Sequence, residues 1–81
     1  MMLDKILEWF PEEELLIADG FNDAIMGIEE DTMRIIYSKS KIIDILIKEG
    51  MSEEDALEHF SFNIQGGYVG ERTPIWCIDD L

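Results

Sequence analysis

Two short strand-forming segments joined by four polar residues set the frame of this chain. Ala24 to Ile28 and Met33 to Tyr37 are rich in β-formers, and Glu29-Glu30-Asp31-Thr32 is a connection of hairpin length. In the second segment Met33, Ile35 and Tyr37 share one face, with Arg34 and Ile36 on the other. Gly27 inside the first predicts a bulge or a close backbone approach. A hairpin is marginal by itself, so it must bury one face against something else. The rest of the chain supplies helices. Leu3, Ile6, Leu7 and Phe10 recur at helical spacing and predict a helix over about 3–10, closed by Pro11. Ser40 as cap and Gly50 as stop bound a second helix over about 41–49, carrying Ile42, Ile43, Ile45, Leu46 and Ile47. Ser52-Glu53-Glu54-Asp55 opens a third over about 53–65, with Ala56, Leu57, Phe60 and Ile64 as its core stripe and Gly66-Gly67 at its end. Thr73 to Ile78 reads as a last strand with Pro74 near its start.

The expected architecture is α+β: a two-layer single domain, with a three-stranded, mostly antiparallel sheet and two to three helices on one face. Glu12-Glu13-Glu14 followed by Leu15 to Ala18 is expected to start a further helical turn before Asp19-Gly20 breaks it. Area scaling gives a folded surface of roughly 5,000 Å² and about 63% of the chain's surface buried. Stability of about 4–8 kcal/mol is the usual figure for such a size.

Charge limits the function. Nineteen acidic residues against six basic ones give a formal charge of −13 on 81 residues, while 47% of the residues are hydrophobic. A disordered acidic tail lacks that apolar content. Lys and Arg are too scarce to hold phosphates, so direct binding to nucleic acid or to an anionic membrane is not expected. A basic or nucleic-acid-binding protein is the expected partner, drawn to a negative surface. The plainer reading is that the acidity serves solubility. Met1 to Lys5 has no basic region before an apolar run, so no secretory signal is expected, and no stretch approaches the ~20 apolar residues of a membrane span. A single cysteine, Cys77, excludes an internal disulfide and suits a reducing, cytoplasmic setting.

No motif predicts a catalytic residue, a cofactor or a metal. His59 and Cys77 are one of each kind, and Cys77 sits between Trp76 and Ile78 in an apolar strand, where packing is the ordinary role. Four nitrogen or sulfur ligands for structural zinc are lacking. Asp19-Gly20-Phe21-Asn22-Asp23 lacks the alternating acids of a calcium loop, and a turn suffices to explain it. Gln65-Gly66-Gly67-Tyr68-Val69-Gly70 follows a helix, whereas a dinucleotide loop follows a strand. An RNA-clasping glycine loop beside Glu71 on so acidic a chain is excluded as well. The candidate protein-contact residues are Glu12, Glu13, Glu14, Glu29, Glu30, Asp31, Glu53, Glu54 and Asp55, with Trp9 and Phe21 as apolar anchors. Trp9 lies outside the Leu3/Ile6/Phe10 stripe. Two alternatives stand beside this. One is a small structural or scaffolding protein that forms homo-oligomers through aromatic and aliphatic surface. The other is a small-ligand binder using Asp19, Asp23 and His59.

A series of short motifs carries a resemblance. Ala18-Asp19-Gly20-Phe21-Asn22-Asp23-Ala24-Ile25, Ile35-Ile36-Tyr37-Ser38, Gly50-Met51-Ser52-Glu53-Glu54-Asp55-Ala56, Phe60-Ser61-Phe62-Asn63-Ile64 and Tyr68-Val69-Gly70-Glu71-Arg72-Thr73-Pro74-Ile75 follow one another in that order. Over roughly residues 15 to 78 the chain resembles a group of small bacteriophage-encoded proteins of uncharacterised function. The resemblance implies a virus-encoded protein acting in the cytoplasm of an infected bacterium, and brings no activity or catalytic residue with it.

Overall fold

The computed structural model describes residues 2–67 and 69–81. Its elements in chain order are α1 (Met2–Trp9), β1 (Ile25–Glu29), β2 (Arg34–Ser38), α2 (Lys39–Lys48), α3 (Glu53–His59) and β3 (Ile75–Cys77). A 3-10 turn at Asn22–Ala24 precedes β1, and a π-helical stretch at Phe60–Gln65 continues α3. The α+β class and the three-stranded sheet are as the sequence predicts. The sheet order is β1-β2-β3, with β1 and β2 antiparallel and β2 and β3 parallel, so the sheet is mixed. The parallel pair follows from connectivity: α2 and α3 carry the chain across before it returns, and such a crossover is what parallel pairing requires.

The hairpin pairs Glu29 with Arg34, Ile28 with Ile35 and Gly27 with Ile36, then slips by one residue so that Ile25 faces Tyr37. The extra residue is Met26, a bulge of the kind that Gly27 suggested. No neighbouring atom approaches the space where a Gly27 side chain would begin, so the close-approach alternative does not hold. Ile35 and Tyr37 are fully buried and meet Leu3 and Ile6 of α1, Ile42 and Leu46 of α2, Ala56 of α3 and Phe60. Trp76 joins them from β3. Its ring lies 5.4 Å from Tyr37 and 5.7 Å from Phe60, the latter edge-on, which is the favoured geometry for aromatic pairs. The Lys39 ammonium sits 5.4 Å over the Phe60 ring.

Helix ends depart from the sequence reading in instructive ways. Ser38, not Ser40, caps α2: its Oγ accepts from the Lys41 amide at 3.2 Å and donates to Asp79 at 2.8 Å. Strand passes straight into helix, so the last strand residue holds the cap position. Ser40 instead donates to Asp79 at 3.1 Å, tying the C-terminal tail to the start of α2. Gly50, at φ 112°, stops the helix as expected. Its amide donates to Ile47 and that of Met51 to Leu46, the doubled bond of a Schellman end that needs a left-handed residue. Ser52 caps α3 through the Asp55 amide at 3.1 Å.

Four expectations are corrected. Residues 15–18 form no helical turn; they run without regular structure and are held where the Ala18 amide donates to the Tyr37 hydroxyl at 2.7 Å. The stretch between Pro11 and Gly20 is too short to nucleate an unsupported helix. The single helix over 53–65 is α3 plus the π-helical stretch, and the wider turn keeps Phe60 buried while leaving Phe62 exposed. Leu57, assigned to the core stripe, is 41% exposed, because the side facing α2 is taken by Ala56 and Phe60. The final strand is shorter than 73–78, since Thr73 and the buried Pro74 are occupied in accepting from Arg34 through their carbonyls.

Candidate protein contact surface and apolar pocket

Trp9, at the end of α1, is 77% exposed. It stands beside a groove of 220 Å³ between α1 and β1, walled by Met2, Ile6, Phe10 and Ile28, with Gly27 opening the floor and Lys5 at the side. Leu3 and Ile6 fix the helix by their burial, so the ring one turn on is presented outward by a rigid element. Phe21, the other anchor candidate, is half-buried and packs against the core, so it supports the fold. Phe62 is 78% exposed and was passed over in the sequence reading, although its position off the Ala56/Phe60/Ile64 stripe was visible there.

The acidic candidates fall at two ends of β2. At the Arg34 end lie Glu30 and Asp31 in the hairpin turn, both exposed. Asp31 shares a depression with Arg34, Glu71 and Arg72, and Arg72 in turn meets Glu13 at 3.0 Å. A half-exposed pair of this kind contributes well under about 1 kcal/mol. Glu12 and Glu14 are exposed on the same segment as Glu13. At the Ser38 end, Glu53 lines a depression with Lys39, Asp44 and Asp80, and Glu54 and Asp55 follow it, exposed, in the first turn of α3. Eight of the nine carboxylates thus form two poles.

Glu29 belongs to neither. Its carboxylate accepts from the Thr32 amide at 2.6 Å, the Asp31 amide at 3.2 Å and the Thr32 hydroxyl, and closes the hairpin turn. The Thr32 bonds, hydroxyl first, hold the Glu29 carboxyl below the usual carboxylate range. Asp79 is likewise held low, chiefly by the Ser38 hydroxyl and further by that of Ser40. A carboxyl whose folded pKa lies below its unfolded one stabilises fully above the ordinary carboxylate range, and loses that contribution as pH falls through the folded value. Asp79→Asn should therefore be less stable than the native chain at neutral pH. In urea melts that difference should begin to shrink as pH falls below about 4 and should vanish only below the lowered folded value. A gap that persists at low pH would contradict the assignment.

A second depression, of 350 Å³, lies between residues 16–19, the π-helical stretch and Trp76. Asp19 and Asn63 are the polar side chains on its wall. The Asn63 amide nitrogen lies 3.2 Å from His59 Nδ1, so Asn63 links His59 to this pocket. Asp23 is elsewhere, beside Lys41, Asp44 and Lys48. The structure therefore brings Asp19 together with the Asn63–His59 pair and leaves Asp23 out. Tyr68, named in the glycine-rich stretch, lies outside the described residues. Among the described residues no cluster of three or more acids, histidines or cysteines could hold a metal, and no helix is long and apolar enough to cross a membrane.

Fold and surface together define a small acidic two-layer α+β domain with a groove beside the exposed Trp9 and a pocket lined in part by Phe21 and Trp76. Comparison with protein-family models, curated proteins and solved structures found no match.

Proposed function

We propose that this chain is a non-enzymatic, phage-encoded accessory protein that binds a cationic protein partner, its carboxylates steering the encounter and Trp9 anchoring the contact. The observation that carries this is Trp9, 77% exposed at an apolar groove on a chain of charge −13. A large aromatic ring held outward on a packed helix is the kind of residue that dominates binding energy at interfaces. In one form of the reading the partner is a host nucleic-acid enzyme, and the two acidic poles occupy its basic groove in place of DNA phosphates.

The test is affinity capture from bacterial lysate, followed by kinetics with the captured protein. A basic partner is expected, with an association rate that falls steeply between low and high salt. Glu30→Lys with Asp31→Lys should slow association about tenfold or more, and Trp9→Ala should speed dissociation by about as much. Binding indifferent to salt and to both changes, or no captured partner, would remove the reading. The alternative, self-association through Trp9 and Phe62, draws on the exposure of both rings. Sedimentation separates the two, because apolar association strengthens with salt whereas charge steering weakens.

A further inference from the structure

We infer that the 350 Å³ pocket beside Trp76 is a binding site for a small aromatic amine, a role separate from the protein contact proposed for Trp9. Its volume lies within the range of ligand sites, roughly 300–1,000 Å³. It exceeds the ~150 Å³ cavity that admits a benzene ring. The walls are firm. Trp76 is locked between Tyr37 and Phe60 at 5.4 and 5.7 Å. The opposite wall, at Ala18, is pinned by the 2.7 Å bond from its amide to the Tyr37 hydroxyl, whose pKa burial raises. Val69, on the rim, has its amide donating to the Thr73 hydroxyl at 3.0 Å.

The chemistry of the lining selects the ligand. Leu16, Ile17, Phe21, Ile64 and Trp76 offer apolar and aromatic surface suited to a ring. Asp19 is the sole ionisable group among the described residues that line the pocket, and no lysine or arginine is there to meet an anion. Asn63 adds a polar amide to the same wall. A charged acceptor, Asp19, beside apolar and aromatic surface calls for a ligand that donates from a cation. The −13 charge of the chain favours a cation over an anion at any open site. An ammonium beside Asp19 with its ring against Trp76 satisfies all of these.

The experiment follows the two indole N–H resonances of the native protein by NMR, assigned with Trp9→Phe. The probes are phenethylamine, 2-phenylethanol and phenylacetate, which share a ring and differ in charge. Phenethylamine should move the Trp76 signal saturably in the millimolar range and leave the Trp9 signal in place. Phenylacetate should bind at least tenfold more weakly. Asp19→Asn, at an exposed side chain and checked for an unchanged melting temperature, should reduce the amine to the level of the alcohol. No saturable shift at Trp76, equal response to all three probes, or an Asp19→Asn variant that keeps its preference would overturn the assignment. So would a Trp76 signal that moves with protein concentration alone, since a second copy would then be the occupant. None of these outcomes depends on whether a protein partner is captured through Trp9.

Discussion

Phe60→Ala is expected to remove most of the chain's stability at 25 °C. Phe60 is fully buried at the junction of α3, the sheet and Trp76, with Lys39 over its ring. Removing such a side chain costs about 3–5 kcal/mol, counting both the lost transfer energy and the cavity left behind. A domain of this size has only about 4–8 kcal/mol in total. The accessible surface of 5624 Å² exceeds the roughly 5,000 Å² expected from the mass, so there is little spare burial to absorb the loss. Phe62→Ala is the matched control, two residues along the same π-helical stretch and 78% exposed. It should change stability by no more than about 0.5 kcal/mol. Urea melts followed by circular dichroism decide this. A Phe60→Ala loss below about 1.5 kcal/mol would mean that the core does not close around that ring.

Arg34→Met should cost about 1.5–3 kcal/mol, nearer the lower figure because the side chain is only half-buried. The guanidinium donates from Nε to the Thr73 carbonyl at 2.5 Å and from Nη2 to that of Pro74 at 3.5 Å. Those bonds join the first residue of β2 to the chain just before β3, a strand of only three residues. The loss should therefore appear first at Trp76, as a red-shifted and more quenchable emission in a Trp9→Phe background. Arg34→Lys should recover only part of it, since an ammonium cannot fork to two carbonyls in fixed geometry. Full recovery by lysine would show that charge alone, without the fork, holds the strand.

Much of the fold was legible because it is written in local signals. The hairpin segments, the Gly50 stop, the Ser52 cap and the helix of residues 2–9 each depend on neighbours a few positions away. The cap of α2 was misplaced by two residues because Ser38 and Ser40 are equivalent as sequence. Only the direct passage of β2 into helix selects the first. Residues 15–18 read as helical since acids precede aliphatics there, yet their position depends on a hydroxyl nineteen residues away. Glu29 looked like one more surface acid, and the turn it closes is set by hairpin register.

The candidate sites divide in the same way. Trp9 stood out as exposed from its place off the apolar stripe, a matter of helical angle alone. The pocket could not be read, because its walls come from residues 16–19, 63–64 and 74–76, which meet only when β3 docks parallel to β2.

By itself the sequence determined the order of the three helices and three strands, the strongly negative charge and the outward tryptophan, since each follows from spacing or composition. Tertiary structure alone decided the parallel third strand, the split of the carboxylates into two poles and the pocket beneath Trp76. These depend on contacts between distant segments, and no local pattern specifies which side of a strand a returning chain will pair with.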